Sequence, residues 1–174
     1  RKQYMKDLRN LPHQIKITVV EINDKLKERK EILQMFDNKH SIFVLGKGRG
    51  EAIAKEGSLK IKEISYYHAE GYSGSALKHG PFALLEKDFP VIMTATKDKH
   101  YKKMCNAYQE IQSREARILF ITDDRSCNYK NKLFVPKNDT FGALLSVIPI
   151  QLIAYYLSLK KGINPDYPKN LAKS

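Results

Sequence analysis

Apolar positions along this chain recur with two different periods, and the alternation between them outlines the fold. Ile15, Val19, Ile22, Leu26 and Phe36 recur mostly at three- and four-residue steps among Lys, Glu, Arg and Asp, the spacing of one helix face. Pro12 suits the first turn of such a helix, so the pattern predicts a helix from Pro12 to about Phe36, preceded by a polar segment over Arg1–Asn10. Four short runs rich in β-branched and aromatic residues, Ser41–Leu45, Val91–Ala95, Ile118–Thr122 and Leu133–Val135, read as strands. The helical period returns between them. Ile53, Gly57, Ile61 and Ile64 form the apolar face of a helix that follows Gly46–Gly50, and Met104, Ala107, Tyr108 and Ile111 that of a helix over Tyr101–Arg114. Tyr66–Ser73 reads as extended, a strand or a loop. Ser75 reads as the cap of a short helix containing Lys78, His79 and Pro81. Phe141–Leu159 is one apolar helix closed by Gly162, and the proline-containing tail after it is irregular.

Strands that alternate with helices predict an α/β fold, a doubly wound, mainly parallel sheet of about five strands flanked by helices with right-handed crossovers. The expected division is a leading helix and interdomain segment over 1–40, the α/β domain over 41–160, and an irregular tail over 161–174. In an open sheet of this kind a ligand is expected at the carboxyl ends of the strands, beside the Gly46 turn.

Length and composition narrow the picture. A chain of 174 residues suits one well-buried domain, and 42% apolar with 29% charged residues is globular rather than disordered. Cys105 and Cys127 have neither CxxC nor zinc-ligand spacing, which points to a reducing, cytoplasmic setting and to no metal site. The net charge of +12 raises the question of nucleic acid. The lysines and arginines are spread along the chain in no DNA- or RNA-binding motif, so the expectation is a solvated basic surface compatible with anionic small molecules. No signal peptide is evident. Phe141–Leu159 approaches the length of a membrane span but carries Ser146, Pro149, Gln151 and Ser158, and is expected as a buried helix. The absence of an initiator methionine and the packing character of the first helix suggest a piece of a longer chain.

Candidate chemistry is concentrated in Glu56–Pro81. Glu56, Lys60 and Glu63 fall at i, i+4 and i+7, one narrow stripe of a helix. Taken alone, such a stripe is usually a surface charge pattern, and His79 alone is an ordinary histidine. Gly46-Lys47-Gly48-Arg49-Gly50 lacks the third glycine of a dinucleotide loop and the GK[ST] ending of a P-loop.

These residues resemble the sugar isomerase (SIS) domains, and specifically the second such domain of the glutamine:fructose-6-phosphate aminotransferases. The resemblance is carried by Gly46-x-Gly48, by Glu56-Gly57-x-Leu59-Lys60-x-Lys62-Glu63-Ile64-Ser65-Tyr66, and by His68-Ala69-Glu70. It continues through Leu77-Lys78-His79-Gly80-Pro81, Pro149-x-Gln151-Leu152, and Asp166-x-Pro168-x-Asn170-Leu171-Ala172-Lys173-Ser174. It implies a flavodoxin-like SIS fold and a reaction in which fructose 6-phosphate is opened, aminated with ammonia from glutamine, and isomerised to glucosamine 6-phosphate without a cofactor. Glu63 matches the base that moves a proton between carbons 1 and 2, and Lys60 the lysine that assists proton traffic at the sugar oxygens. His79 matches the ring-opening histidine that serves the neighbouring subunit of a homodimer. Lys173 matches the imine-forming tail lysine, with Ala172 beside it at the sugar. The chemistry wants these types: a base with a pKa near working pH, a histidine for acid–base ring opening, and an amine that can become neutral.

Departures accompany the match. Lys47 stands where the family commonly has Arg, and Ser75-Ala76 replaces the usual Gly-Glu, removing a carboxylate near His79. The phosphate-gripping loop of an upstream SIS domain and the cysteine of a glutaminase domain belong to other parts of such a chain, so this portion alone is expected to be inactive or weakly active. The alternative is a non-catalytic SIS domain that binds a sugar phosphate as a regulatory module.

Overall fold

In the computed structural model, which describes residues 1–170, five strands form one parallel sheet: β1 (Ser41–Gly46), β2 (His68–Ser73), β3 (Pro90–Thr94), β4 (Arg117–Thr122) and β5 (Lys132–Phe134). Their spatial order is β2-β1-β3-β4-β5, and all neighbouring pairs are parallel. The helices are α1 (Lys2–Glu28), α2 (Lys30–Gln34), α3 (Arg49–Ser65), α4 (Tyr101–Gln112), α5 (Gly142–Leu145) and α6 (Val147–Lys160). Because successive side chains of a strand point to opposite faces, β1 feeds two cores. Ile42 and Val44 pack with Ile150, Ile153 and Leu157 of α6. Phe43 and Leu45 pack with Met104, Tyr108 and Ile111 of α4. The sheet is thus covered on both faces, as a parallel sheet requires, and the expected doubly wound α/β architecture is the one observed.

The apolar run Gly142–Lys160 is long and apolar enough to cross a membrane, but 67% of its most apolar window is buried inside the fold. It packs between α1 and α3. At Gly57 of α3 an added Cβ would lie 2.7 Å from Ile150 Cγ2, so the missing side chain is what lets α3 and α6 approach this closely.

The amino-terminal helix departs from its expected bounds. It begins at Lys2 with Pro12 inside it, and ends at Glu28, where Arg29 (φ −105, ψ 70) breaks it from α2. Tertiary anchoring explains the early start. Buried Asp7 accepts from Thr140 Oγ1 at 2.6 Å and from the Thr140 backbone N–H at 3.1 Å, while its carbonyl accepts from Asn138 Nδ2 at 3.1 Å. The apolar stripe is buried only in its second half. Ile22, Leu26 and Phe36 are at most 2% exposed, whereas Ile15 and Val19 are 37% and 40% exposed.

Ser75 does not cap as expected. It precedes a 3-10 turn over Ala76–His79 but makes no side-chain cap bond; its Oγ instead accepts from Lys47 Nζ at 2.6 Å. Gly80, at φ 135, separates this turn from a second 3-10 turn over Pro81–Leu84. Cys105 and Cys127 are free thiols.

One buried carboxylate ties the loops at the carboxyl edge together. Asp124 accepts from Ser126 Oγ at 2.7 Å, Lys97 Nζ at 3.1 Å and Tyr101 Oη at 2.9 Å. The Ser126 hydroxyl first, then Lys97, hold its carboxyl well below the usual carboxylate range. Burial, then the bond to Asp124, pushes the Tyr101 phenol up. Asp124→Ala is expected to destabilise the fold by about 2–3 kcal/mol, mainly through the lost charged hydrogen bonds and the orphaned Tyr101 hydroxyl. A depressed folded-state pKa gives stability that is fully present above the unfolded value and lost as pH falls through the folded one. Denaturant titrations of wild type and variant should therefore differ fully at neutral pH, with the difference starting to shrink near about pH 4 and lost only as pH falls on through the depressed folded value.

Candidate functional site

Helix α3 runs antiparallel to the strands, from the carboxyl end of β1 to the amino end of β2, and the candidate residues lie on its last three turns. Helical spacing puts Glu56, Lys60 and Glu63 together as expected. Lys60 Nζ donates to Glu63 Oε2 at 2.7 Å and lies 3.6 Å from Glu56 Oε1. Glu63 is 25% exposed, Lys60 33% and Glu56 47%, so the Lys60–Glu63 pair is the more sheltered. The Glu63 hydrogen bond, supported by the charges of Glu63 and Glu56 and opposed by desolvation, raises the Lys60 pKa and holds it as an ammonium. The pair therefore offers a carboxylate acceptor and an ammonium donor side by side. Such a pair can take a proton at one atom of a ligand while supplying a hydrogen bond or proton at a neighbouring oxygen.

His79 lies elsewhere. It is exposed in the 3-10 turn that follows the carboxyl end of β2, whereas Glu63 precedes the amino end of that strand. The length of β2 between them amounts to roughly 17 Å, so the two are not brought together within one chain. The neighbouring Lys78 pairs with Glu110 at 2.8 Å. The Ser75-Ala76 substitution leaves a Ser73–Ser75 hydroxyl contact at 3.2 Å in this loop.

Two features beyond the expected residues mark the Glu63 end of α3. Lys161 Nζ donates to the Ser65 carbonyl at 2.9 Å and lies 3.4 Å from the Tyr67 ring centroid; burial lowers its pKa. The Lys169 backbone N–H donates to Tyr66 Oη at 2.7 Å. The tail thus returns to the same end of the helix that holds Lys60 and Glu63. Ala172 and Lys173 lie outside the described residues.

The crevice expected at the carboxyl ends of the strands is present. It opens where the strand order reverses between β1 and β3, has a volume of about 470 Å³, and is lined by Gly48, Arg49, Thr96, His100, Thr140 and Gly142. Its location was expected to be that of the site, but Lys60 and Glu63 are not in it. They lie some 17–21 Å further along α3 from Arg49, at 1.5 Å per residue. Among the described residues no cluster of three or more His, Cys, Asp or Glu side chains could hold a metal ion.

Comparison with known proteins bears on the fold and the family. The SIS domain family matches residues 35–161. A probable glutamine–fructose-6-phosphate aminotransferase (isomerizing) of Acanthamoeba polyphaga mimivirus is 49% identical over 98% of this chain, and the type 1 enzyme of Rattus norvegicus is 40% identical over the whole of it. The chain spans 28% and 26% of the lengths of these two relatives. The C-terminal domain of glucosamine-fructose-6-phosphate aminotransferase from Francisella tularensis superposes with a TM-score of 0.85 at 30% identity, covering 94% of this chain and 46% of that one. With a five-stranded parallel sheet and a SIS match over most of its length, the chain belongs to the SIS domain family.

Proposed function

We propose that this chain is the carboxyl-terminal half of the isomerase domain of a glucosamine-6-phosphate synthase, acting on fructose 6-phosphate and ammonia released from glutamine. The observation that carries the reading is the sheltered Lys60–Glu63 pair at 2.7 Å, at the end of α3 to which the tail returns. Glu63 takes the proton from carbon 1 of the aminated sugar and delivers it to carbon 2, while the Lys60 ammonium stabilises negative charge developing on the adjacent oxygen. Lys173, as the free amine, condenses with the carbon 2 carbonyl of the open-chain ketose with loss of water, and ammonia then replaces the lysine amine at carbon 2, releasing it. Ala172, next to Lys173 in sequence, is the further substrate-binding position in this reading. A sensor of sugar phosphate has no need of a base paired with a proton donor, which favours the enzyme over the regulatory module.

His79 promotes ring opening in the site of a second copy, a reading supported by its place at the opposite end of β2 from Glu63. The remaining parts are an upstream SIS domain that grips the sugar phosphate and a glutaminase domain, with residues 1–40 as the joining segment, 41–160 as the SIS domain and 161–174 as the tail. The free thiols Cys105 and Cys127 suit a cytoplasmic setting.

A mixing experiment tests the shared site. Full-length aminotransferases carrying this segment with Glu63→Gln or with His79→Ala should each be inactive. Equal mixing with subunit exchange should restore roughly a quarter of wild-type activity, because half the dimers are mixed and each holds one intact site. No recovery under conditions where mixed dimers form would place His79 in its own chain's site and remove this part of the reading.

A further inference from the structure

Tyr66 is an unexpected residue for its position. It terminates α3 in the left-handed conformation (φ 57, ψ 24), where glycine or asparagine is usual and a bulky residue is strained. Two contacts to the tail hold the residue there, the first of which needs the tyrosine hydroxyl. Its hydroxyl accepts the Lys169 N–H at 2.7 Å, and its ring lies 4.8 Å from Lys169 Nζ. Eight residues earlier the tail is held on the neighbouring residues, with Lys161 Nζ on the Ser65 carbonyl and over the Tyr67 ring. Tyr67 is itself buried, its hydroxyl on the Phe36 carbonyl at 3.2 Å. Between the two anchors the tail makes local turns, Ile163 N–H to the Ser158 carbonyl and Tyr167 N–H to the Asn164 carbonyl, and Tyr167 is 82% exposed. The segment is therefore fastened by its ends rather than by its middle.

The second anchor fixes where the rest of the chain starts. From Lys169 to Lys173 are four residues, a reach of at most about 14 Å, and Tyr66 is three residues, about 4.5 Å of helix rise, beyond Glu63. We propose that Tyr66 is a positioning residue: its hydroxyl clasps the tail at Lys169 so that the residues after it begin within reach of the Lys60–Glu63 pair. The proposal rests on the functional reading above, since it gives the clasp the task of presenting Lys173 to the same sugar as Glu63. Tyr66 touches no reacting atom in this scheme; it acts through the tail.

Two measurements test it. In the 174-residue chain, Tyr66→Phe keeps the ring and removes the acceptor, so exchange of the Lys169 amide should quicken about tenfold while that of Ile61 within α3 is unchanged. Tyr66→Asn, which tolerates the left-handed conformation, should quicken it at least as much. In a full-length aminotransferase carrying this segment, Tyr66→Phe should lower kcat about tenfold and leave the KM for fructose 6-phosphate within about twofold, the signature of a misplaced group rather than lost binding. Unchanged Lys169 exchange in both variants overturns the clasp. Unchanged kcat in an enzyme that Glu63→Gln silences overturns its positioning role. Activity that survives Glu63→Gln sinks the functional reading instead, and the exchange result then still decides whether the clasp exists.

Discussion

Glu63→Gln in a full-length aminotransferase carrying this segment is expected to lower isomerising turnover by about 10²–10⁴-fold, the usual contribution of a positioned general base. The KM for fructose 6-phosphate should change little. Glutamine has nearly the shape of glutamate and can still accept a hydrogen bond from Lys60, so the stripe on α3 keeps its packing and loses only its proton acceptor. The expected signature is a fall in kcat and kcat/KM by the same factor, as for an interaction made in the transition state. Lys60→Met should cost less. It removes the ammonium that Glu63 holds at 2.7 Å, yet leaves the base in place, and the freed carboxylate is only 25% exposed. A variant order with Lys60 more damaging than Glu63 would assign the leading role to the amine.

Gly46→Ala is expected to have the largest effect on folding, a loss of at least about 3 kcal/mol. A Cβ on Gly46 would sit 2.0 Å from the Gly50 carbonyl oxygen and 2.8 Å from the Glu51 nitrogen. Both are backbone atoms of the turn that starts α3, held by Gly50 N–H to the Lys47 carbonyl and Glu51 N–H to the Gly48 carbonyl, each at 3.1 Å. No rotamer change relieves that contact, so the whole β1–α3 junction must shift. The expected readout is a large drop in the denaturant midpoint. Retention of wild-type stability would mean that the turn can open without cost.

The sheet was largely legible because its strands are buried on both faces and so appear as continuous apolar runs: Ser41–Leu45 and Ile118–Thr122 became β1 and β4 within a residue or two. Strand β2 was ambiguous between strand and loop. It lies at the sheet edge, and its HAEGYS sequence carries only one fully buried side chain, Ala69. The start of α1 was illegible for a different reason. Its first turns are anchored by Asp7 to Thr140 and Asn138, more than 130 residues away, and no local pattern reports such a contact, while Pro12 suggests a beginning ten residues too late.

The Lys60–Glu63 pair followed directly from helical spacing. What the spacing could not convey was its position relative to the crevice. The strand-end rule points to Arg49 and His100 at one end of α3, and the stripe lies towards the other end, where the tail docks on Ser65 and Tyr66. Tyr66 gave no signal of its own in the sequence, because a left-handed tyrosine is visible only once the backbone is traced.

The most direct test of the central claim follows the proton itself. A full-length aminotransferase carrying this segment, incubated with fructose 6-phosphate and glutamine in deuterium oxide, should wash deuterium into carbon 2 of the amino sugar in the fraction of turnovers in which the protonated Glu63 exchanges with solvent before delivery, and Glu63→Gln should bind the sugar phosphate yet incorporate none above background. Undiminished incorporation by Glu63→Gln, or incorporation that instead depends on Arg49 at the strand-end crevice, would contradict the assignment of proton transfer to the end of α3.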